Sequence, residues 1–141
     1  MEYTDENRGY IQAQERARQV VEFKGLRYEN ITPTDVDGFF EWHNKVFVFY
    51  EYKLAGARMA RGQMVAMERL VDGLDAANKT AVLFLCEHTV QNPRRNVDAA
   101  SAIVKAVYYK GCWHKGNGGT VRERTDAFLK WAKGAEYGAI R

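Results

Sequence analysis

The sequence predicts one α/β domain with a central mixed β-sheet flanked by helices. Three observations carry that expectation. Two short runs rich in aromatic and β-branched residues, 38–42 and 46–53, are separated by only three residues; an amphipathic segment follows over 61–77; a continuous apolar run, 80–86, comes directly after it. Strand, strand, helix, strand in that order implies a hairpin and then a β-α-β crossover. A chain of 141 residues with 46% apolar content is the size of one domain, 1–141, able to bury a core around a single site.

Each element has its own signal. Residues 9–23 place Tyr10, Ala13, Ala17, Val20 and Val21 on one side at 3.6-residue spacing, which predicts a first helix ended by Gly25. A stretch of turn formers from Glu29 to Asp35 leads to the two strands, and His43, Asn44 and Lys45 form the hairpin loop between them. In the second helix Met64, Met67, Leu70, Val71 and Leu74 make a stripe for core packing. The run 80–86 has no polar alternation, the mark of a strand covered on both faces. After a polar loop, residues 99–113 read equally as a short helix or a further strand. Gly116, Gly118 and Gly119 suggest a flexible loop placed to close over a substrate, and Thr120 with Glu123 in capping-box spacing starts a last helix over 121–133. Trp113 and Trp131 are expected in the core.

Composition narrows the function classes. No apolar stretch approaches the roughly 18 residues of a membrane span, and the start is polar and acidic, so a soluble, intracellular protein with no membrane partner is expected. Cys86 lies in an apolar run and Cys112 in a Gly- and Lys-rich segment, a pattern of neither a disulfide framework nor a zinc site. The net charge of +3 is split: residues 1–75 carry 10 basic and 13 acidic side chains, residues 76–141 carry 11 and 5. An acidic site beside a basic surface suits a metal-dependent enzyme acting on a polyanion and argues against a DNA mimic. On the basic side Arg94, Arg95 and Lys115 are candidate phosphate contacts, with Lys110, Arg122 and Arg124 nearby in sequence.

The acidic site is found by hairpin geometry. If the hairpin is centred on Asn44, paired residues have numbers summing to 88, and Asp37 faces Glu51. Directly opposite residues of an antiparallel pair carry their side chains on one face within about 5.5 Å, close enough for two carboxylates to share a divalent cation. Strand alternation sends Lys53 to the same face and Tyr50 and Tyr52 to the other. An E-x-K triplet is expected about 0.7 times by chance in this composition, and Glu22-Phe23-Lys24 is a second instance. Only Glu51-Tyr52-Lys53 ends an apolar strand and has an acid opposite it.

The run Pro33-Thr34-Asp35-Val36-Asp37-Gly38-Phe39-Phe40-Glu41, the strand 46–53 and Arg61-Gly62-Gln63 opening a helix resemble the PD-(D/E)XK nuclease superfamily, especially its small phage-type, Holliday-junction-resolvase-like endonucleases. The resemblance covers 30–88. It implies a restriction-endonuclease-like α-β-β-β-α-β core and a magnesium-dependent endonuclease that hydrolyses DNA phosphodiesters, branched or junction DNA included, with manganese expected to substitute. By that resemblance Asp37 and Glu51 hold the metal with the backbone carbonyl of Tyr52, Lys53 assists the attacking water, and Gln63 lies beside the site. Asp35 competes with Asp37, and Glu15 on the first helix is a further candidate acid. A homodimer working in the cytoplasm of a bacterial host is also implied. The alternative is a non-catalytic nucleic-acid-binding or anti-defence protein that keeps the fold.

Overall fold

The computed structural model describes residues 19–138. The chain divides into two compact units, Met1–Pro33 and Thr34–Arg141. In the first, Lys24–Leu26 form a short 3-10 turn, and Tyr28 and Ile31 exchange two backbone hydrogen bonds of 2.8 Å across Glu29 and Asn30, both with positive φ. The helix expected over 9–23 is not present where it is described: residues 19–23 have no regular structure, and Gly25 sits inside the 3-10 turn. Residues 9–18, Glu15 among them, lie outside the described residues. Val20 and Val21 are 84% and 71% exposed. Two β-branched residues in succession weaken helix propensity, and Val20 and Val21, exposed as they are, gain no compensation from burial.

The second unit is built on a five-stranded mixed sheet. Its elements are β1 (Gly38–Trp42), β2 (Val46–Leu54), α1 (Arg61–Ala76), β3 (Thr80–His88), β4 (Ile103–Tyr109), β5 (Cys112–Lys115) and α2 (Val121–Gly138). The strands lie side by side in chain order; β2 and β3 are parallel, joined by α1 as the crossover, and the other neighbours are antiparallel. The hairpin register is the symmetrical one, from Trp42↔Val46 to Gly38↔Tyr50. His43 and Asn44 take φ of 50° and 58° at its tip, the left-handed geometry of tight hairpin turns. The segment left open by the sequence, 99–113, becomes a 3-10 turn at Ala99–Ser101, then β4 and the start of β5. Lys110 and Gly111, both with positive φ, make the two-residue turn between those strands.

Each face of the sheet buries its own core. Phe49, Ala81, Leu83 and Tyr108 pack with Met67 and Val71 of α1, while Val48, Val82, Phe84 and Val104 pack on the other face with Val121 and Ala132 of α2. Covering both faces is why β3 reads as an unbroken apolar run. Polar anchors fix α1: Tyr108 Oη donates to Asp72 at 2.8 Å, and Trp113 Nε1 donates to Glu68 at 2.6 Å. Trp131 departs from the expectation of burial, being 51% exposed.

The capping box forms as the spacing predicts. Glu123 N–H donates to Thr120 Oγ1 at 3.1 Å, and Thr120 N–H donates to Glu123 Oε1 at 2.9 Å. The glycine segment before it is not a free lid. Gly116 N–H donates to Lys105 O, Val104 N–H to Gly119 O and Val121 N–H to Ala102 O, so residues 116–121 are laced along β4. A Cβ on Gly116 would stand 2.0 Å from the Val104 carbonyl oxygen, so the glycine serves close backbone packing. No helix among the described residues is long and apolar enough to cross a membrane.

Candidate active site

Because β2 and β3 are parallel and α1 runs back between them, the first turn of α1 stands over the carboxyl ends of both strands. That end of an α/β sheet is where crevices form. Strand alternation places Glu51 and Lys53 with Phe49 on the α1 face, and Gln63, in the first turn of α1, reaches down to them. Its Nε2 donates to Glu51 Oε1 at 2.9 Å and, more weakly, to the backbone oxygen of Asp35 at 3.5 Å. Lys53 Nζ lies 3.3 Å from Glu51 Oε1 and 3.4 Å from Gln63 Oε1. One carboxylate oxygen is thus held from two sides.

The other oxygen is not. Glu51 is 1% exposed, the sole charged side chain in the buried core among the described residues, and its Oε2 has no hydrogen-bond partner. An unsatisfied buried acceptor costs about 1–3 kcal/mol. Nothing in the packing of β2 requires a carboxylate there, so the cost points to use.

Asp37 completes the group by a route the sequence did not suggest. The β1–β2 ladder ends at Gly38↔Tyr50, and Asp37, the next residue out, turns its side chain across the open edge so that Oδ2 accepts the Tyr52 N–H at 2.8 Å. The carboxylate therefore lies in the plane of the sheet, between its two faces. An extended residue sends its N–H and C=O to the same side of the strand, which turns the Tyr52 carbonyl toward Asp37 as well. Asp35 contributes its backbone carbonyl to Gln63.

Burial, and next the charge of Asp37, push the Glu51 carboxyl above the ordinary carboxylate range, with Lys53 pulling it back. Burial and then Asp37 also raise the Cys86 thiol to about 12. Burial first, with smaller contributions that include Asp37, raises the Tyr52 phenol. The Glu51 carboxyl, desolvated and beside a second carboxylate, is the group whose charged form a bound cation would favour.

The donors suit a hard divalent ion. They are two carboxylates and a backbone carbonyl, all oxygen, and magnesium commonly takes one or two carboxylates and completes its shell with water and substrate oxygens. Among the described residues no three His, Cys, Asp or Glu side chains form a ligand set. The fit therefore rests on the orphaned Glu51 Oε2 and on Asp37 beside it.

Of the candidate residues, Asp37, Glu51, Tyr52, Lys53 and Gln63 come together. Arg94, Arg95 and Lys115 do not join them: all three are exposed, the arginines in the turn that follows β3 and the lysine at the end of β5. Glu22 and Lys24 of the second E-x-K triplet form an exposed ion pair at 3.6 Å. The sequence reading missed Glu87, the parallel register partner of Lys53 and hence on the same face beside it. A polar residue one step past an apolar run was its only signal. Comparison of the chain with protein-family models, with curated proteins and with solved structures finds no match.

Proposed function

We propose that this protein is a metal-dependent endonuclease that hydrolyses phosphodiester bonds of DNA at the end of β2. The observation that carries the proposal is the buried Glu51 with one oxygen unpartnered, in a group with Asp37, Lys53 and Gln63. A solvated strand end would show an exposed, hydrogen-bonded glutamate. Asp37 and Glu51 would hold magnesium, which when bound supplies Lewis-acid activation of water and of the phosphate.

The chain's own groups divide the remaining tasks. Gln63 fixes the Glu51 carboxylate by the 2.9 Å bond to Oε1, leaving Oε2 directed to the ligand. The Tyr52 N–H fixes Asp37. Lys53, half-buried and 3.3 Å from Glu51, keeps a positive charge where a phosphate accumulates negative charge in the transition state. A homodimer fits cutting at two symmetric strands.

The test is cleavage of supercoiled plasmid and of a synthetic four-way junction by the full chain, with magnesium, manganese or chelator, alongside Lys53→Ala. Metal-dependent cutting lost in the variant is the expected result. Intact DNA in every lane with binding retained would replace the nuclease by a non-catalytic nucleic-acid-binding protein.

A further inference from the structure

Asp37 borders two spaces. One is the site under α1; the other, on the opposite face of the sheet, is a cleft of about 390 Å3 between the β1–β2 hairpin and the start of α2, whose lining includes Phe40, Tyr50, Tyr52, Ala100 and Arg122. Its volume is in the range of about 300–1,000 Å3 typical of small-molecule sites. We propose that this cleft receives an unpaired nucleobase adjoining the scissile phosphate, so that the substrate is nucleic acid with a single-stranded nucleotide at the cut. This deepens the nuclease reading and rests on it.

The cleft and the site share two residues. The Tyr52 backbone holds the Asp37 carboxylate, while the Tyr52 ring, sent by strand alternation to the α2 face, walls the cleft. A nucleotide whose phosphate lies at Asp37 thus has an aromatic chamber next to it. The walls offer ring surface and few hydrogen bonds, because both tyrosine hydroxyls are engaged: Tyr50 Oη with Thr125 Oγ1 at 3.0 Å, and Tyr52 Oη donating to Ala99 O at 3.2 Å. Those bonds also fix the rings, which stack on each other at 6.3 Å with 25° between their planes. Phe40, 41% exposed on edge strand β1, supplies a further ring.

Such a lining favours any base that presents a flat face, with little choice of sequence. Bases in a duplex have their faces covered by neighbours and do not enter without being flipped. Arg122 supplies positive charge at the wall; its Nε donates to Asp126 at 3.1 Å, one of five guanidinium donors, and the others suit a backbone phosphate.

The test uses the full chain in chelator, with a fluorescent single-stranded oligonucleotide and the duplex of the same length as probes. Phe40→Ala removes a wall, and Ala100→Trp fills the cleft; agreement between the two guards against one of them simply misfolding. Single strand is expected to bind about tenfold tighter than duplex, and each variant to lose about tenfold of that binding, while magnesium still raises the Tm of both. Parental binding by both variants, or a parental preference for duplex, overturns the proposal. Plasmid cutting that persists in both variants alongside unchanged oligonucleotide binding removes the cleft and leaves the nuclease. No cutting anywhere, with variant-sensitive oligonucleotide binding, removes the nuclease and leaves a base-binding cleft.

Discussion

Replacing Glu51 by glutamine exchanges the unpartnered buried Oε2 for an amide and removes one of two negative charges from the pocket. The remaining oxygen still accepts from Gln63, and the new amide N–H has the Asp37 carboxylate beside it as an acceptor. Relief of an unsatisfied buried acceptor is worth about 1–3 kcal/mol, and loss of the ion pair with Lys53, whose side chain is 28% exposed, gives back up to about 1 kcal/mol. The net stabilisation in chelator at pH 8 is about 0–3 kcal/mol, or a Tm rise of up to about 10 °C for a chain of this size.

The pH dependence has a definite sign. Glu51 has a folded pKa raised above its ordinary 4.5, so the folded state holds the proton more tightly than the unfolded chain, and wild-type stability falls as pH rises from 4.5 through the folded value. Glu51→Gln lacks that loss. Its advantage is therefore small below pH 4.5 and grows above it. Magnesium acts in the opposite direction, stabilising the wild type by about 1.4 kcal/mol at a tenfold excess over Kd and leaving the variant nearly unmoved. Thermal melts of both proteins over pH 4–8, in chelator and in magnesium, check all of this. A variant that melts several degrees below the wild type in chelator at pH 8 would refute the reasoning, since Glu51 would then be contributing stability.

Lys53→Ala leaves Glu51 with Gln63 as its remaining donor, so cleavage is expected to fall at least about 100-fold, with a loss of about 1 kcal/mol in stability at neutral pH read from a urea titration. Gln63→Ala frees Glu51 to reorient, and magnesium affinity from titration calorimetry is expected to drop about tenfold, as when a second-shell support is removed. Gly116→Ala drives a methyl into the Val104 and Lys105 backbone, costing about 3 kcal/mol or more by chemical denaturation, whereas alanine at the open Gly73 inside α1 stabilises by about 1 kcal/mol.

How much was legible depends on how far apart the interacting residues are. The hairpin register follows from two flanking strands and a loop of three, and the sequence placed Asp37 opposite Glu51 on that basis. The ladder stops one pair short, however, and Asp37 caps the Tyr52 N–H from the sheet edge, a role alternation alone cannot express. Segment 99–113 stayed open because its small residues Ala99 to Ala102 suit a helix while Ile103 to Tyr109 suit a strand; pairing with β3 settles it. Residues 19–23, the described part of the expected first helix, are not helical, and Val20 and Val21 there are exposed, so apolar spacing alone did not make a helix of them. Gly116 resembled a mobile glycine since the β4 backbone it touches is not its neighbour in sequence.

By itself the sequence determined the α/β class, the order from β1 to β3, the β-α-β crossover, the capping box of α2 and the identity of the residues at the end of β2. These depend on periodicity and on side chains within a few positions of one another, which is where local propensity and turn chemistry act. Only the tertiary structure decided that Glu51 is buried with an oxygen unpartnered, that Gln63 of α1 holds it, that Glu87 stands beside Lys53, and that a second cleft opens behind Asp37. Burial and desolvation are set by every element that covers a residue, and here α1, β3 and α2 do the covering from parts of the chain that no local pattern joins to β2.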